Sequence, residues 1–193
     1  MRRIAVVGTT GSGKTTLARE IAGRLGIPHV ELDALNWGPN WTEASREVFR
    51  QRVADALAGE AWVVDGNYSA ARDLIWPRAD TVVWIDYPLW LILWRLLLRT
   101  FQRTLTGEEL WSGNRERFRD QFFSRNSLFV WALQTYRTRR RNYPRLLSQP
   151  EHAHLKLVRL RSRRATEVWL SSMAEGHERG AEGGESNGAP GGT

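Results

Sequence analysis

Residues 8–15 read Gly8-Thr9-Thr10-Gly11-Ser12-Gly13-Lys14-Thr15, which fits G-x-x-x-x-G-K-[ST] at every defined position. That spacing constrains the fold more than any other feature of the chain. Glycines let a backbone wrap an anion with its N–H groups, and a helix starting near Lys14 adds its positive end. Lys14 is placed to reach the β- and γ-phosphates of a nucleotide, and the Thr15 hydroxyl to ligate Mg²⁺. The flanks agree: Arg3 to Val7 is a short apolar strand, and Leu17, Ile21, Ala22 and Leu25 recur at helical spacing after the loop. The expected nucleotide contacts are therefore Gly8, Gly11, Ser12, Gly13, Lys14, Thr15 and Thr16.

The rest of the chain alternates the same way. Strands are expected at residues 29–32, 61–64, 81–85 and 155–160, with helices between them. This predicts an α/β doubly wound parallel sheet of about five strands with helices on both faces. Thr42 is expected to cap a helix over about 43–57, with Val48, Val53 and Leu57 inward. A helix beginning near Pro88 should reach about Arg103, and a longer one from Asn114 should carry Phe118, Phe122, Phe129 and Leu133 near one face. A further short helix is expected over about 165–173. Residues 1–173 read as one domain, with a basic helical segment at about 104–150. Residues 174–193, with seven glycines and no aromatic residue, read as a disordered Gly/Glu-rich tail.

Charge sharpens this picture. The net formal charge is +7, but residues 1–90 carry −1, residues 91–164 carry +12, and the remainder −4. One basic segment implies one anion-facing surface, for clustered phosphates or, less favoured, nucleic acid. The aromatics there are spaced as a helix core and not as a stacking platform. Ten tryptophans are present, most of them expected in the core, because each ring buries about 150–250 Å². The absence of cysteine excludes disulfides and thiolate chemistry and fits a reducing, cytoplasmic setting. The apolar run from Leu89 to Leu98 contains Arg95 and is far short of a membrane span, which needs roughly 20 residues.

Several side chains invite chemical roles. Asp33 follows the second strand and is placed to orient or deprotonate an acceptor hydroxyl, or else to cap its own loop. Asp65 and Asp86 each end a run of four apolar residues, so either suits a carboxylate behind a magnesium ion. Arg95, Arg99 and Arg103 fall within about 80° of one helix face, which is either a phosphate-facing stripe or a solvated one. Arg115 and Arg119 share a face after a glycine-bearing connection, as in a closing lid. The cluster of Arg137, Arg139, Arg140 and Arg141 reads as solvated surface. His152 and His154 lack a third ligand type for a metal.

Taken together, the chain resembles the adenylate-kinase-like P-loop kinases, and more narrowly the subgroup labelled DNA topology modulation proteins. The narrower likeness rests on HVELDALNWGPNW, WVVDGNY, WPRADTVVWIDYP and LWSGNRE, and spans about residues 3–170. It implies a P-loop NTPase fold with a helical lid, ATP and Mg²⁺ as cofactors, and phosphoryl transfer to a small-molecule acceptor. In kinases of this kind the third strand lies beside the loop strand, which favours Asp65 over Asp86 as the metal-side acid. Arg95, seven residues after Pro88, corresponds to the arginine that packs on adenine, and Arg99 to one that approaches the phosphates. The resemblance thus implies catalytic roles for Lys14, Asp33, Arg99, Arg115 and Arg119. Adenylate kinases carry D-G-x-P-R after the third strand, where this chain has Asp65-Gly66-Asn67-Tyr68 and its next arginine is Arg72. Asp33 instead resembles the acid of kinases that phosphorylate a hydroxyl, such as uridine or shikimate kinases.

Overall fold

A computed structural model describes residues 1–106 and 128–182. Five strands form one sheet in the order β2-β3-β1-β4-β5, every neighbouring pair parallel. They are β1 (Arg3–Gly8), β2 (His29–Glu31), β3 (Trp62–Asp65), β4 (Thr81–Ile85) and β5 (Lys156–Leu160). The helices are α1 (Lys14–Leu25), α2 (Leu32–Asn36), α3 (Arg46–Ala56), α4 (Arg72–Ile75), α5 (Leu89–Thr106), α6 (Leu128–Leu147) and α7 (Arg163–Glu182). This is the α/β architecture expected, with the loop strand central and β3 at its side.

Strand alternation divides the core into two layers. Ala5 and Val7 of β1, Val64 of β3, and Val82 and Trp84 of β4 face a cluster with Leu32, Phe49, Val53, Ile75, Trp76 and Tyr143. Their sequence neighbours Ile4, Val6, Val63, Val83 and Ile85 face the other way, against Leu17, Ile21, Ile92, Leu170 and Met173. Buried on both faces, the strands read as unbroken apolar runs. Both layers hold the carboxyl ends of β1, β3 and β4 in fixed register, so Gly8, Asp65 and Ile85 emerge on one edge.

Some local expectations shift. The α3 cap is Ser45, whose hydroxyl accepts from the Val48 N–H at 3.3 Å, and not Thr42. Phe49 is buried while Val48 is exposed. Phe49 and Val53 are one helical turn apart and share a face, and the larger ring takes the core position. Leu133 on α6 is exposed, and Ala132 and Tyr143 are buried in its stead. Tryptophan is the largest departure: Trp62, Trp76 and Trp84 are buried, whereas Trp41, Trp90, Trp94 and Trp131 are exposed. On α5 the buried face belongs to Ile92 and Leu96, and Trp90 and Trp94 lie on the opposite side of the same helix. Phe118, Phe122, Arg115 and Arg119 lie outside the described residues. Among the described residues no helix is long and apolar enough to cross a membrane.

Candidate active site

The phosphate loop leaves β1 at Gly8 and enters α1 at Lys14. Gly13, the residue before the helix, has φ 96°, a conformation open to glycine at little expense. Its α face is closed by Arg95, whose Nη1 would lie 3.3 Å from an added Cβ. The Ser12 side chain is buried and its Oγ has no hydrogen-bond partner. An orphaned hydroxyl inside a loop of this shape fits a bound anion, because burying it unmatched is unfavourable.

Lys14 sits at the centre of the charges. Its Nζ lies 3.4 Å from the Thr9 carbonyl oxygen, and burial pushes its pKa down to about 8. The residue as a whole is half-buried, but its ammonium group is desolvated. Asp33 is the charge that acts on it most strongly, followed by Arg139, Asp65 and Arg99. Two carboxylates and three cations thus converge where a triphosphate would lie.

Asp65 closes β3, buried to 2% exposure. Its Oδ1 accepts the Thr15 hydroxyl at 3.1 Å, and its Oδ2 meets His29 Nε2 at 2.7 Å across the β2–β3 pairing. A threonine hydroxyl that donates its proton to a carboxylate keeps its lone pairs for a cation, so Thr15 and Asp65 fit a magnesium ion held jointly with phosphate oxygens. Among the described residues no group of three or more histidine, aspartate or glutamate side chains forms a separate metal cluster. Asp86, the alternative, is engaged differently. Arg159 donates to its Oδ2 from Nε at 2.9 Å and Nη2 at 2.6 Å, and Arg140 Nε lies 3.0 Å from Oδ1. Its charge is already neutralised, and it anchors β5 and α6 to the core.

Asp33, in the first turn of α2, receives the Tyr68 hydroxyl on Oδ1 at 2.7 Å. Tyr68 in turn takes a hydrogen bond from the Trp37 side chain. Burial first, then the charge of Asp33 and its hydrogen bond, raises the Tyr68 pKa far above the ordinary phenol value, so it stays a donor. The chain Trp37–Tyr68–Asp33 fixes one carboxylate oxygen and leaves the other available. Gly66, in the turn from β3 toward Tyr68, has φ 145° and packs so tightly on Leu32 that an added Cβ would lie 2.7 Å from its Cβ.

The arginines separate by role. Arg95 donates from Nη1 to the Ser12 carbonyl at 2.9 Å and lies 5.2 Å over the Tyr87 ring, against the loop itself. Arg99 is close enough for its charge to depress Lys14. The 137–141 cluster, read from sequence as solvated surface, is split by the helix. Arg137 and Arg141 are exposed, Arg140 pairs with Asp86, and Arg139 turns inward. The Arg139 Nη1 is buried with no hydrogen-bond partner, and burial lowers its pKa. Its sequence signal is Tyr143, four residues on and buried beside it; i and i+4 share a face. His152 and His154 are tied to backbone carbonyls, at Leu146 and Trp76.

The loop, the parallel sheet and the strand order define a P-loop α/β protein. A profile of the ATPase family associated with various cellular activities (AAA) matches residues 4–86, which run from β1 through β4. No curated protein matches the chain. Among solved structures, the fold is that of small P-loop kinases. A shikimate kinase from Bacteroides thetaiotaomicron superposes with TM-score 0.55 at 17% identity, covering 92% of this chain and 98% of its own. A gluconokinase from Sinorhizobium meliloti 1021 gives TM-score 0.50 at 20% identity, covering 93% and 97%. A shikimate kinase from Acinetobacter baumannii in complex with shikimate gives 0.53 at 15%, covering 93% and 94%.

Proposed function

We propose that the chain is an ATP-dependent phosphotransferase acting on a hydroxyl of a small acceptor. The observation that carries this reading is the surroundings of Lys14, where an acid, Asp33, and the cations Arg139 and Arg99 all act on one buried ammonium. A binding switch needs the loop; it does not need a carboxylate held by a tyrosine hydroxyl and acting on the loop lysine. The fold shared with kinases of shikimate and gluconate, both hydroxyl-bearing, supports the same reading.

In this mechanism the loop amides, Ser12 and Lys14 hold the β- and γ-phosphates. Thr15 and Asp65 would hold Mg²⁺, which when bound would supply positive charge to the nucleotide phosphates. The acceptor oxygen attacks the γ-phosphorus as Asp33 takes its proton, and the bond to the β-bridging oxygen breaks, its electron pair leaving with ADP. Lys14, Arg99 and Arg139 offset the charge on the transferred group, and Arg95 lines the nucleotide side of the loop. A lid role for Arg115 and Arg119, which lie outside the described residues, belongs with this proposal. The narrower likeness to DNA topology modulation proteins belongs with this proposal and adds no chemistry to it.

The test is ADP formation from Mg-ATP with a panel of hydroxyl compounds, nucleosides and nucleoside monophosphates, using wild type and Asp33→Asn. Acceptor-dependent turnover that falls about 10²–10⁴-fold in Asp33→Asn, with Mg-ATP affinity kept, is expected. Transfer to a nucleoside monophosphate that survives Asp33→Asn would remove Asp33 from the mechanism.

A further inference from the structure

The buried aspartates Asp65 and Asp86 are held by different chemistry. Asp86 is met by two guanidinium groups, those of Arg140 and Arg159. Asp65 is met by a hydroxyl and an imidazole: Thr15 donates to Oδ1 at 3.1 Å, and His29 Nε2 lies 2.7 Å from Oδ2. A carboxylate accepts and cannot donate, so Nε2 carries the hydrogen between them. An imidazole can supply that hydrogen without bringing a charge, which leaves the negative charge of Asp65 for a cation.

Strand register brings His29 into reach. His29 pairs with Val63 and Glu31 with Asp65, so His29 lies one side-chain repeat behind Asp65 on the same face of the sheet. Val63 on that face packs with Leu17 and Ile21 of α1, the helix whose first turn holds Thr15. The bond is sheltered, with the His29 side chain 15% exposed and that of Asp65 2%. An aspartate turns readily about its last torsion, whose preference is broad and roughly two-fold. One bond to Thr15 leaves that turn open, and a second bond on the opposite oxygen closes it. The strand itself has other ties. All three residues of β2 pair with β3, and Glu31 Oε2 lies 3.6 Å from Arg19 Nη2 of α1. What the His29 ring adds is the direction of Asp65.

We infer that His29 is a positioning residue for the metal side of the site. By holding Asp65 Oδ2 it keeps Oδ1 on the Thr15 hydroxyl, whose lone pairs are then directed to a magnesium ion. This rests on the Thr15–Asp65 part of the proposed function and is independent of phosphoryl transfer. Partners that orient the groups around a metal in this way carry about 10–100-fold in metal affinity.

The experiment measures binding of a non-hydrolysable ATP analogue to the full chain by calorimetry, in EDTA and across a Mg²⁺ series. Wild type is compared with His29→Phe, which keeps a planar ring but cannot donate, and His29→Gln, which can. Melting temperatures without metal or nucleotide report folding. In His29→Phe the Mg²⁺ concentration giving half the gain in nucleotide affinity should rise about 10–100-fold. Affinity in EDTA should stay at the wild-type value, and His29→Gln should recover part of the Mg²⁺ effect. If His29→Phe does not fold, His29→Ala takes its place with the same expectations. A wild-type Mg²⁺ dependence in the folded variant overturns the role of His29 and leaves the metal reading standing. An equal loss of affinity in EDTA and in Mg²⁺ makes His29 a support of the whole loop and overturns the inference. So does a folded His29→Gln as impaired as His29→Phe. A wild-type chain whose nucleotide affinity ignores Mg²⁺ overturns both His29 and the Thr15–Asp65 metal reading.

Discussion

The Asn67 side chain grips Gly8, the first residue of the phosphate loop, through both of its amide atoms. The Gly8 N–H donates to Asn67 Oδ1 at 3.1 Å, and Asn67 Nδ2 donates to the Gly8 carbonyl at 2.6 Å. Tyr143 of α6 adds a third bond, its hydroxyl donating to the same Oδ1 at 3.0 Å. The turn after β3, the loop after β1 and the helix α6 thus meet at one amide. Each such bond is worth about 0.5–1.5 kcal/mol net, and the pair fixes where the loop begins.

Asn67→Ala should therefore weaken Mg-ATP binding about 5–50-fold, as measured by calorimetry, by releasing the loop from its preset shape. Asn67→Asp keeps an acceptor for Gly8 N–H but sets a carboxylate oxygen against the Gly8 carbonyl, so it should bind no better than alanine. Unchanged affinity in both variants would show that the loop holds its shape without the clamp.

The two acids that sequence leaves as alternatives should separate by what they damage. Asp65→Asn weakens the acid behind Thr15, so the Mg²⁺ concentration for half-maximal turnover should rise several-fold with a modest change in melting temperature. Asp86→Ala strips Arg140 and Arg159 of their partner. Breaking such a pair costs about 3–5 kcal/mol when fully buried. The arginine side chains keep 43% and 29% exposure, so the low end applies. A melting temperature that drops in Asp86→Ala with little change in Mg²⁺ dependence is the expected pattern; the reverse pattern would exchange the two roles.

Tyr68→Phe removes the donor that holds one Asp33 oxygen while leaving the ring that packs at 4.9 Å from Phe49. The carboxylate keeps its proton-accepting function but loses its fixed direction. A fall in kcat of about tenfold with KM for ATP unchanged is expected from one lost charge-assisted bond. A wild-type kcat would show that Asp33 is aligned by other means.

What the sequence exposes here is what depends on contiguous residues. The loop from Gly8 to Thr15 and the apolar runs of β1, β3 and β4 rest on local pattern, whereas the β3–β1 adjacency that favours Asp65 is what the family resemblance implies. What it conceals is set by distant residues meeting. Asn67 looks like a turn residue until Gly8, 59 positions earlier, is beside it. Arg139 reads as one of a solvated cluster because neighbouring arginines differ only in helical phase. The tryptophans mislead for a related reason: α5 is apolar on two opposite faces, and composition cannot say which face meets the sheet. Ile92 and Leu96 do, leaving Trp90 and Trp94 outside.

Lys14 links the loop to pH. Burial lowers its pKa from 10.5 to about 8, whereas the unfolded chain keeps the ordinary value. Below pH 8 the lysine is charged in both states, and the folded state bears the desolvation penalty. Between about 8 and 10.5 the unfolded chain binds the proton more tightly than the folded one, so stability rises with pH across that window. Lys14→Met removes the buried charge. Without nucleotide it should melt several degrees above wild type at pH 7, the gap narrowing from pH 8 upward, while Mg-ATP binding is lost. Binding of Mg-ATP to wild type sets negative charge beside the ammonium and raises its pKa again. At pH 8.5 binding should therefore draw a proton from solution, and at pH 6.5 almost none. Calorimetry in two buffers of different ionisation enthalpy measures this directly. Equal proton uptake at both pH values would place the coupling on some group other than Lys14.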